Sequence, residues 1–231
     1  MSVYPSAQTV PVAALGVDAR STFLSRTYNH LLGAILGFTA LEIFYFKAGL
    51  AEPMARAMLG VNWLLVLGGF ILVSWLASRA AANSTSLGAQ YLALAGFVAA
   101  ESIIFVPLLF IADHYAPGAI ESAATLTLLG FAALTGIAFW TRKDFSFLGG
   151  LLRWAMILAL LAIVGGVLFG FQLGTWFSVL MIGVAGAAIL YDTSNVIHHF
   201  PEDRYVAASL QLFASVALMF WYVLSLFTSR N

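Results

Sequence analysis

Seven separate apolar stretches constrain this chain more than any other feature of its sequence. A helix needs about 20 mostly apolar residues to cross the hydrocarbon core of a bilayer. The stretches that qualify are 28–50, 61–79, 88–112, 118–140, 148–170, 174–198 and 206–228. Only 9% of the 231 residues are charged, whereas a typical soluble domain has about a quarter. The sequence therefore predicts an all-α integral membrane protein with seven transmembrane helices in a single domain, 28–231, preceded by a cytoplasmic tail, 1–27.

The distribution of Lys and Arg near the predicted loops indicates an orientation, because short cytoplasmic loops carry an excess of both residues. The side that holds the N-terminus carries Arg20, Arg26, Arg79, Arg142, Lys143, Arg153 and Arg204, and the other side carries Lys47, Arg56 and Arg230. This bias predicts a cytoplasmic N-terminus. Compact loops and short tails favour the inner membrane of a bacterium.

Composition argues against several classes of protein. The chain has no cysteine, hence no thiolate nucleophile and no Cys-based zinc site. Its formal net charge of zero gives no basic patch for nucleic acid. A retinal Schiff base needs a lysine deep in a helix, but Lys47 and Lys143 lie near helix ends. His198 and His199 are adjacent and lack the i, i+4 spacing of a zinc pair, which favours a solvated loop pair over a metal site. We expect no enzyme activity, no cofactor and no resident metal.

Asp192 is the strongest candidate for a functional side chain. A carboxylate at membrane depth costs about 2.5–3.5 kcal/mol on insertion scales, and such residues are commonly functional. Ala185 and Ala188 lie on the same helix face, and small residues allow close helix contact. We therefore expect Asp192 to face other helices, with Asn195 one turn further along. A purely structural hydrogen-bond acceptor is the alternative interpretation.

The last predicted helix presents Gln211, Ser215 and Tyr222 on one face, because their spacings are four and seven residues. Ser215 lies at a depth similar to that of Asp192, so the two can meet across the bundle. Packing through ordinary hydrogen bonds is the alternative for all three.

Two further acidic residues lie within predicted spans. Glu101 lies six residues before Pro107, and a proline leaves a helical carbonyl, here that of Ile103, without its usual donor. Oxygen groups of this kind suit a hard cation such as calcium. A protonated Glu101 bonded to a neighbouring carbonyl is the structural alternative. Glu42 is in the outer half of the first span, where a carboxylate that reaches back to the membrane surface is the simpler interpretation.

Three motifs together carry a family resemblance: residues 141–148 (TRKDFSFL), 190–193 (LYDT) and 208–213 (ASLQLF). Their order and spacing resemble the Bax inhibitor-1 (transmembrane Bax inhibitor motif) family over nearly the whole chain from about Thr22. The resemblance implies six helices around a central C-terminal helix. It also implies a pH-sensitive calcium leak and links to cell death or stress.

The resemblance also implies residue roles. In the family, an aspartate on the sixth helix pairs with a second aspartate on the seventh. Asp192 matches the first position, whereas Ser215 stands at the second. Arg79 is the nearest match to an arginine that belongs to the family's closed-state contact, and Glu101 is a candidate for the missing negative charge. Protonated Asp192, or Asp192 paired with Arg79, is then expected to favour the closed bundle.

Two hypotheses about function follow. The first is a passive cation leak, in which calcium is transported or bound and Asp192 senses protons. The second is a regulator that transports nothing and binds other membrane proteins, such as a membrane protease or a component of a stress or cell-death pathway. Both hypotheses place the chain in a lipid bilayer and neither involves nucleic acid.

Overall fold

The computed structural model describes residues 10–84 and 86–229, which form an almost entirely helical bundle. The helices are α1 (Val17–Lys47), α2 (Ala51–Leu59), α3 (Trp63–Asn83), α4 (Leu87–Tyr115), α5 (Ala119–Thr141), α6 (Leu148–Phe169), α7 (Gly174–His198) and α8 (Tyr205–Thr228). All except α2 are long and apolar enough to cross a membrane, which confirms the seven predicted spans. Residues 1–9 of the predicted tail, and Arg230 of the predicted outer side, lie outside the described residues.

The first helix begins at Val17, so the expected start near residue 28 was wrong. Phe23, Thr27 and Leu31 are all buried at a spacing of four residues, which places them on one face of a helix. That face packs on the bundle although the segment also carries charged residues. Upstream, the backbone N–H of Val12 donates to the carbonyl of Phe200 at 2.9 Å, which joins the N-terminal segment to the α7–α8 loop.

Helix α2 was not predicted, because Glu52 and Pro53 were interpreted as a turn after the first span. Pro53 is the third residue of the helix, and a proline is tolerated in the first turn, where its missing N–H has no partner to lose. Ala51 and Ala55 are buried against Val106 of α4. About 100° further around the helix, Arg56 and Glu52 form an exposed i, i+4 ion pair at 2.5 Å. This division between an apolar and a charged face is typical of a short helix at a membrane surface.

Helix α8 is the central element of the bundle, as the family resemblance implied. It packs against α1, α3, α4, α5 and α7. Its buried residues come from all around the helix, as expected for a helix enclosed by others. In contrast, α3 and α6 expose long apolar side chains on most of their surface, and these are the faces that lipid would cover.

Candidate functional site

Asp192 lies at the interface of α7 and α8, where its side chain is only 6% exposed. It is six residues before the end of α7 at His198, so a rise of 1.5 Å per residue puts it about 9 Å from that end. Gln211 donates from Nε2 to Oδ1 of Asp192 at 2.5 Å. Ser215 donates from its hydroxyl to Oδ2. Both carboxylate oxygens therefore have a partner, and both partners come from α8. We call these three residues the Asp192 cluster.

Small residues bring the two helices close enough for these contacts. Ala185 is fully buried two turns before Asp192. A Cβ atom added at Gly186 would lie 3.4 Å from Leu134 of α5 and 3.7 Å from Met219 of α8. Within lipid, apolar side chains gain no hydrophobic free energy by moving from lipid to another helix. Helices therefore associate through close packing of their backbones, which small residues allow. The stripe of small residues in the sequence therefore lies where it was expected, facing other helices.

The predicted polar face of α8 is divided between two neighbourhoods. Gln211 and Ser215 contact Asp192, whereas Tyr222 lies nearly two turns further along. Tyr222 packs with Met181 and with Phe177, whose ring centroid is 5.8 Å away. Tyr222 is therefore part of the packing between α7 and α8 and not of the Asp192 cluster.

Two residues expected near Asp192 make their contacts elsewhere. The guanidinium of Arg79 lies 5.1 Å from the ring centroid of Trp75, on the exposed side of α3. Among the described residues it forms no ion pair with Asp192. The carbonyl of Asn195 accepts hydrogen bonds from the backbone of His199 and Phe200 at the end of α7. The role of Arg79 as a closed-state counter-ion stays a prediction.

Glu101 is buried in the middle of α4 and lines a separate cavity of about 170 Å³ between α3, α4, α6 and α8. Trp63, Trp221 and Tyr222 also line this cavity. Helix α4 continues through Pro107 without interruption. No hydrogen bond joins Glu101 to Asp192 in the part of the chain that the structure describes. The two acidic residues therefore belong to different sites.

Glu42 lies towards the opposite end of the bundle from Asp192, five residues before the end of α1. It was expected to reach the membrane surface, and this was wrong, because the residue is only 8% exposed. Neither carboxylate oxygen has a hydrogen-bond partner among the described residues.

A polar network that the sequence did not predict joins the α5–α6 loop to α7. Ser194 accepts a hydrogen bond from the backbone of Phe145 at 2.8 Å, and Nε2 of His199 lies 3.0 Å from Oδ2 of Asp144. The backbone N–H of Ser146 donates to Asp144 at 2.9 Å. This bond, assisted by His199, lowers the pKa of Asp144 from its ordinary 3.8. Three of these residues are in the TRKDFSFL motif, and this motif is the sequence feature that could have indicated the network.

Comparison with known proteins gives consistent matches over most of the chain. Residues 20–231 match the family model described as "Inhibitor of apoptosis-promoting Bax1". Bax inhibitor 1 of Schizosaccharomyces pombe is 28% identical over 229 residues, which cover 94% of this chain and 80% of the relative. The Golgi anti-apoptotic protein of vaccinia virus (strain Lister) is 27% identical over 221 residues, covering 95% and 90%.

One bacterial relative matches over a shorter length. The Modulator of FtsH protease YccA of Escherichia coli K12 is 34% identical over 108 residues, which cover 46% of this chain and 49% of the relative. The chain thus spans about half the length of this relative. Together with the seven apolar helices, these matches identify the chain as an integral membrane protein.

Proposed function

The chain belongs to the Bax inhibitor-1 family, and on that premise we propose that it is a pH-responsive cation leak, with calcium as the permeating ion. One observation carries the proposal: a buried carboxylate, Asp192, is the link between the central helix and its neighbour α7. A buried ionisable residue inside a bundle commonly marks an ion or proton pathway. The proposed role involves no catalysed reaction.

The Asp192 cluster offers a way to couple protonation to opening. A neutral carboxyl group keeps both contacts, because its hydroxyl donates to Ser215 while Gln211 donates to the other oxygen. An ionised Asp192 adds a negative charge in a region of low dielectric, where none of the described cations forms an ion pair with it. That charge favours admission of water and a cation between α7 and α8. We therefore propose that calcium flux rises as pH rises.

Calcium takes six to eight oxygen ligands, chiefly carboxylate and amide oxygens and water. The Asp192 cluster supplies one carboxylate and one amide side chain, and the hydroxyl of Ser215 adds a further oxygen. Tyr28 of α1, Thr135 of α5 and Thr193 of α7 lie near one another, and Thr193 directly follows Asp192 in the sequence. We propose that they line the path with water, and that Glu101 provides a second oxygen site.

The test is calcium flux into liposomes that contain the purified protein, measured between pH 5 and 8. We expect flux that increases with pH in the wild type and that is lost in Asp192→Asn. Ser215→Asp should steepen the pH dependence, because two neighbouring carboxylates titrate in coupled steps. Asp113→Asn, which changes an exposed acid on α4, serves as the matched control. If Asp192→Asn leaks with an unchanged pH profile, the proposal is wrong.

A second candidate function is regulation of another membrane protein. It is favoured by the similarity to YccA, which is named as a modulator of FtsH protease. Under this proposal the protein is silent in liposomes at every pH, and slows or redirects degradation when it is reconstituted with purified FtsH. An unrelated seven-helix membrane protein is the control. Degradation at the same rate with either protein would remove this candidate.

We also propose that the protein resides in a bacterial inner membrane with its N-terminus in the cytoplasm. The excess of Lys and Arg on that side supports this orientation. Reporter fusions that are active on only one side of the membrane, placed in the α3–α4 and α4–α5 loops, test it. A periplasmic signal from the α3–α4 loop would reverse the topology.

A further inference from the structure

A cavity of about 380 Å³ lies between α1 and α5, on the side of α8 opposite the Asp192 cluster. Phe213, Val216 and Phe220 of α8 form its floor. These residues are spaced by three and four and therefore share one helix face. Ser215 lies about 100° from Val216 and 140° from Phe220 around the helix, at 100° per residue. The cavity is therefore a separate site from the Asp192 cluster that is proposed for the leak.

The cavity opens to the side of the bundle. Thr39 and Ile43 of α1 and Leu128 of α5 line it and are also exposed. All three are within helices long and apolar enough to cross a membrane, so this part of the opening faces the hydrocarbon region. A ligand that reaches the cavity this way must first dissolve in lipid, which requires a largely apolar body.

Glu42 gives this apolar cavity a single strong polar feature. It is 8% exposed, and both of its oxygens lack a hydrogen-bond partner in the described part of the chain. The hydroxyl of Thr127 also lines the cavity and is likewise without a partner. Buried polar groups are almost always hydrogen-bonded, so a group of unpaired oxygens around a cavity indicates that something else is bound there.

The residues that line the cavity restrict the charge and the shape of the ligand that could bind there. Among the described residues that line the cavity there is no Lys, Arg or His, so none of them repels a cation that approaches Glu42. The rings of Phe38, Phe213 and Phe220 lie together at the cavity, with centroids 6.2 and 6.5 Å from that of Phe38. Aromatic faces attract ammonium groups, and they also pack against an apolar body.

A divalent metal fits the site less well than an organic cation. Calcium needs six to eight oxygens, whereas the buried unpaired oxygens among the described residues that line this cavity are those of Glu42 and Thr127. The other acid among these lining residues, Asp113, is exposed at the rim. A volume near 380 Å³ is within the range of about 300–1,000 Å³ found for small-molecule sites.

We propose that this cavity binds a lipophilic primary ammonium compound. The ammonium group donates hydrogen bonds to Glu42 and Thr127, and the apolar body packs against the phenylalanine rings. The ligand enters from the lipid between α1 and α5. The single carboxylate calls for a cationic group, and the apolar, aromatic wall calls for an apolar body.

The experiment uses the full chain in lipid nanodiscs with 1-naphthylmethylamine as a fluorescent probe and 1-naphthalenemethanol as its neutral counterpart. Protein-free nanodiscs supply the baseline for partition into lipid. We expect saturable binding of the amine and at least tenfold weaker binding of the alcohol. Glu42→Gln should weaken amine binding at least tenfold and leave alcohol binding unchanged. Glu121→Gln, an exposed acid at the start of α5, is the matched control and should change neither.

A second variant keeps the test decisive if Glu42→Gln fails to fold. Ala124 lines the cavity from α5 and is half-buried, so Ala124→Phe fills space in the cavity while Glu42 is left in place. It should abolish amine binding while the protein retains its thermal unfolding midpoint. The proposal is overturned if the amine and alcohol bind equally, if neither variant weakens amine binding, or if calcium ions and not the amine bind in a Glu42-dependent way.

Discussion

Ser215 on α8 donates a hydrogen bond to the carboxylate of Asp192 on α7, and both side chains are buried. The family resemblance places a second aspartate at the position of Ser215. A hydroxyl keeps the contact between the two helices but adds no second negative charge. Two neighbouring carboxylates titrate as a coupled pair, whereas a lone Asp192 binds or releases a single proton. The contact between α7 and α8 therefore holds one carboxylate where the resemblance implies two.

Ser215→Ala should destabilise the bundle, because it leaves one oxygen of a buried carboxyl group without its donor. Hydrogen bonds between membrane helices contribute about 0.6 kcal/mol on average and up to about 1.7 kcal/mol. We expect a loss near the upper value, measured as the free energy of unfolding in detergent micelles. Ser209→Ala is the control, because Ser209 bonds only to the carbonyl of Val206 in its own helix. Equal losses for both variants would contradict a special role for the Ser215 contact.

Gly149→Ala should weaken the packing of α6 on α7. A Cβ atom at this position would lie 2.9 Å from Cε2 of Tyr191, next to Asp192. Overpacking of this kind costs about 1–3 kcal/mol. Gly150→Ala is the matched control, since a Cβ atom there meets nothing within 4 Å. A helical Gly to Ala change at an open position should stabilise by about 0.5–1 kcal/mol. Thermal unfolding of the two variants should therefore shift in opposite directions.

Arg204→Met should destabilise the protein more than Arg79→Met. Arg204 donates to the carbonyls of Ala82 at 2.6 Å and Ala81 at 3.4 Å, at the end of α3. Hydrogen bonds that involve a charged group are worth about 1.5–3 kcal/mol. Arg79 lies over an exposed Trp75 ring and forms no ion pair among the described residues, and an exposed cation–π contact is worth about 0.5–1 kcal/mol. The free energies of unfolding of the two variants, each compared with the wild type, test this order. A larger loss for Arg79→Met would show that Arg79 has a partner beyond Trp75.

Acid should release the α5–α6 loop from α7. The pKa of Asp144 is lowered in the folded protein, so its ionised form contributes stability above its ordinary value of 3.8, and that contribution is lost as pH falls through the lowered value. The contribution is small because the side chain is 45% exposed. Hydrogen exchange of the Ser146 amide, corrected for its intrinsic pH dependence, should lose protection below pH 3.8 in the wild type.

Asp144→Asn is the control for that measurement. Its side-chain oxygen still accepts a hydrogen bond but does not titrate in this range. Protection of the Ser146 amide should therefore be weaker and constant with pH. A variant that loses protection in acid as the wild type does would show that another group controls the loop.

The apolar stretches were enough to predict seven spanning helices and a membrane location, because lipid leaves a crossing segment no partner for its backbone other than itself. The charged residues of the first helix concealed its true start at Val17, and a proline concealed α2. In both segments the apolar face is narrow, so burial against neighbouring helices, and not mean hydropathy, stabilises the helix.

The sequence by itself determined the class of protein and the family. Helix periodicity also put Gln211 and Ser215 on one face of α8, since spacing along a single helix is a local property. Only the tertiary structure decided which side chains have partners. Asp192 received two donors from α8, whereas Glu42 received none. The two carboxylates occupy similar apolar sequence, and the difference arises because hydrogen bonding depends on which helices come together, which a single segment does not encode.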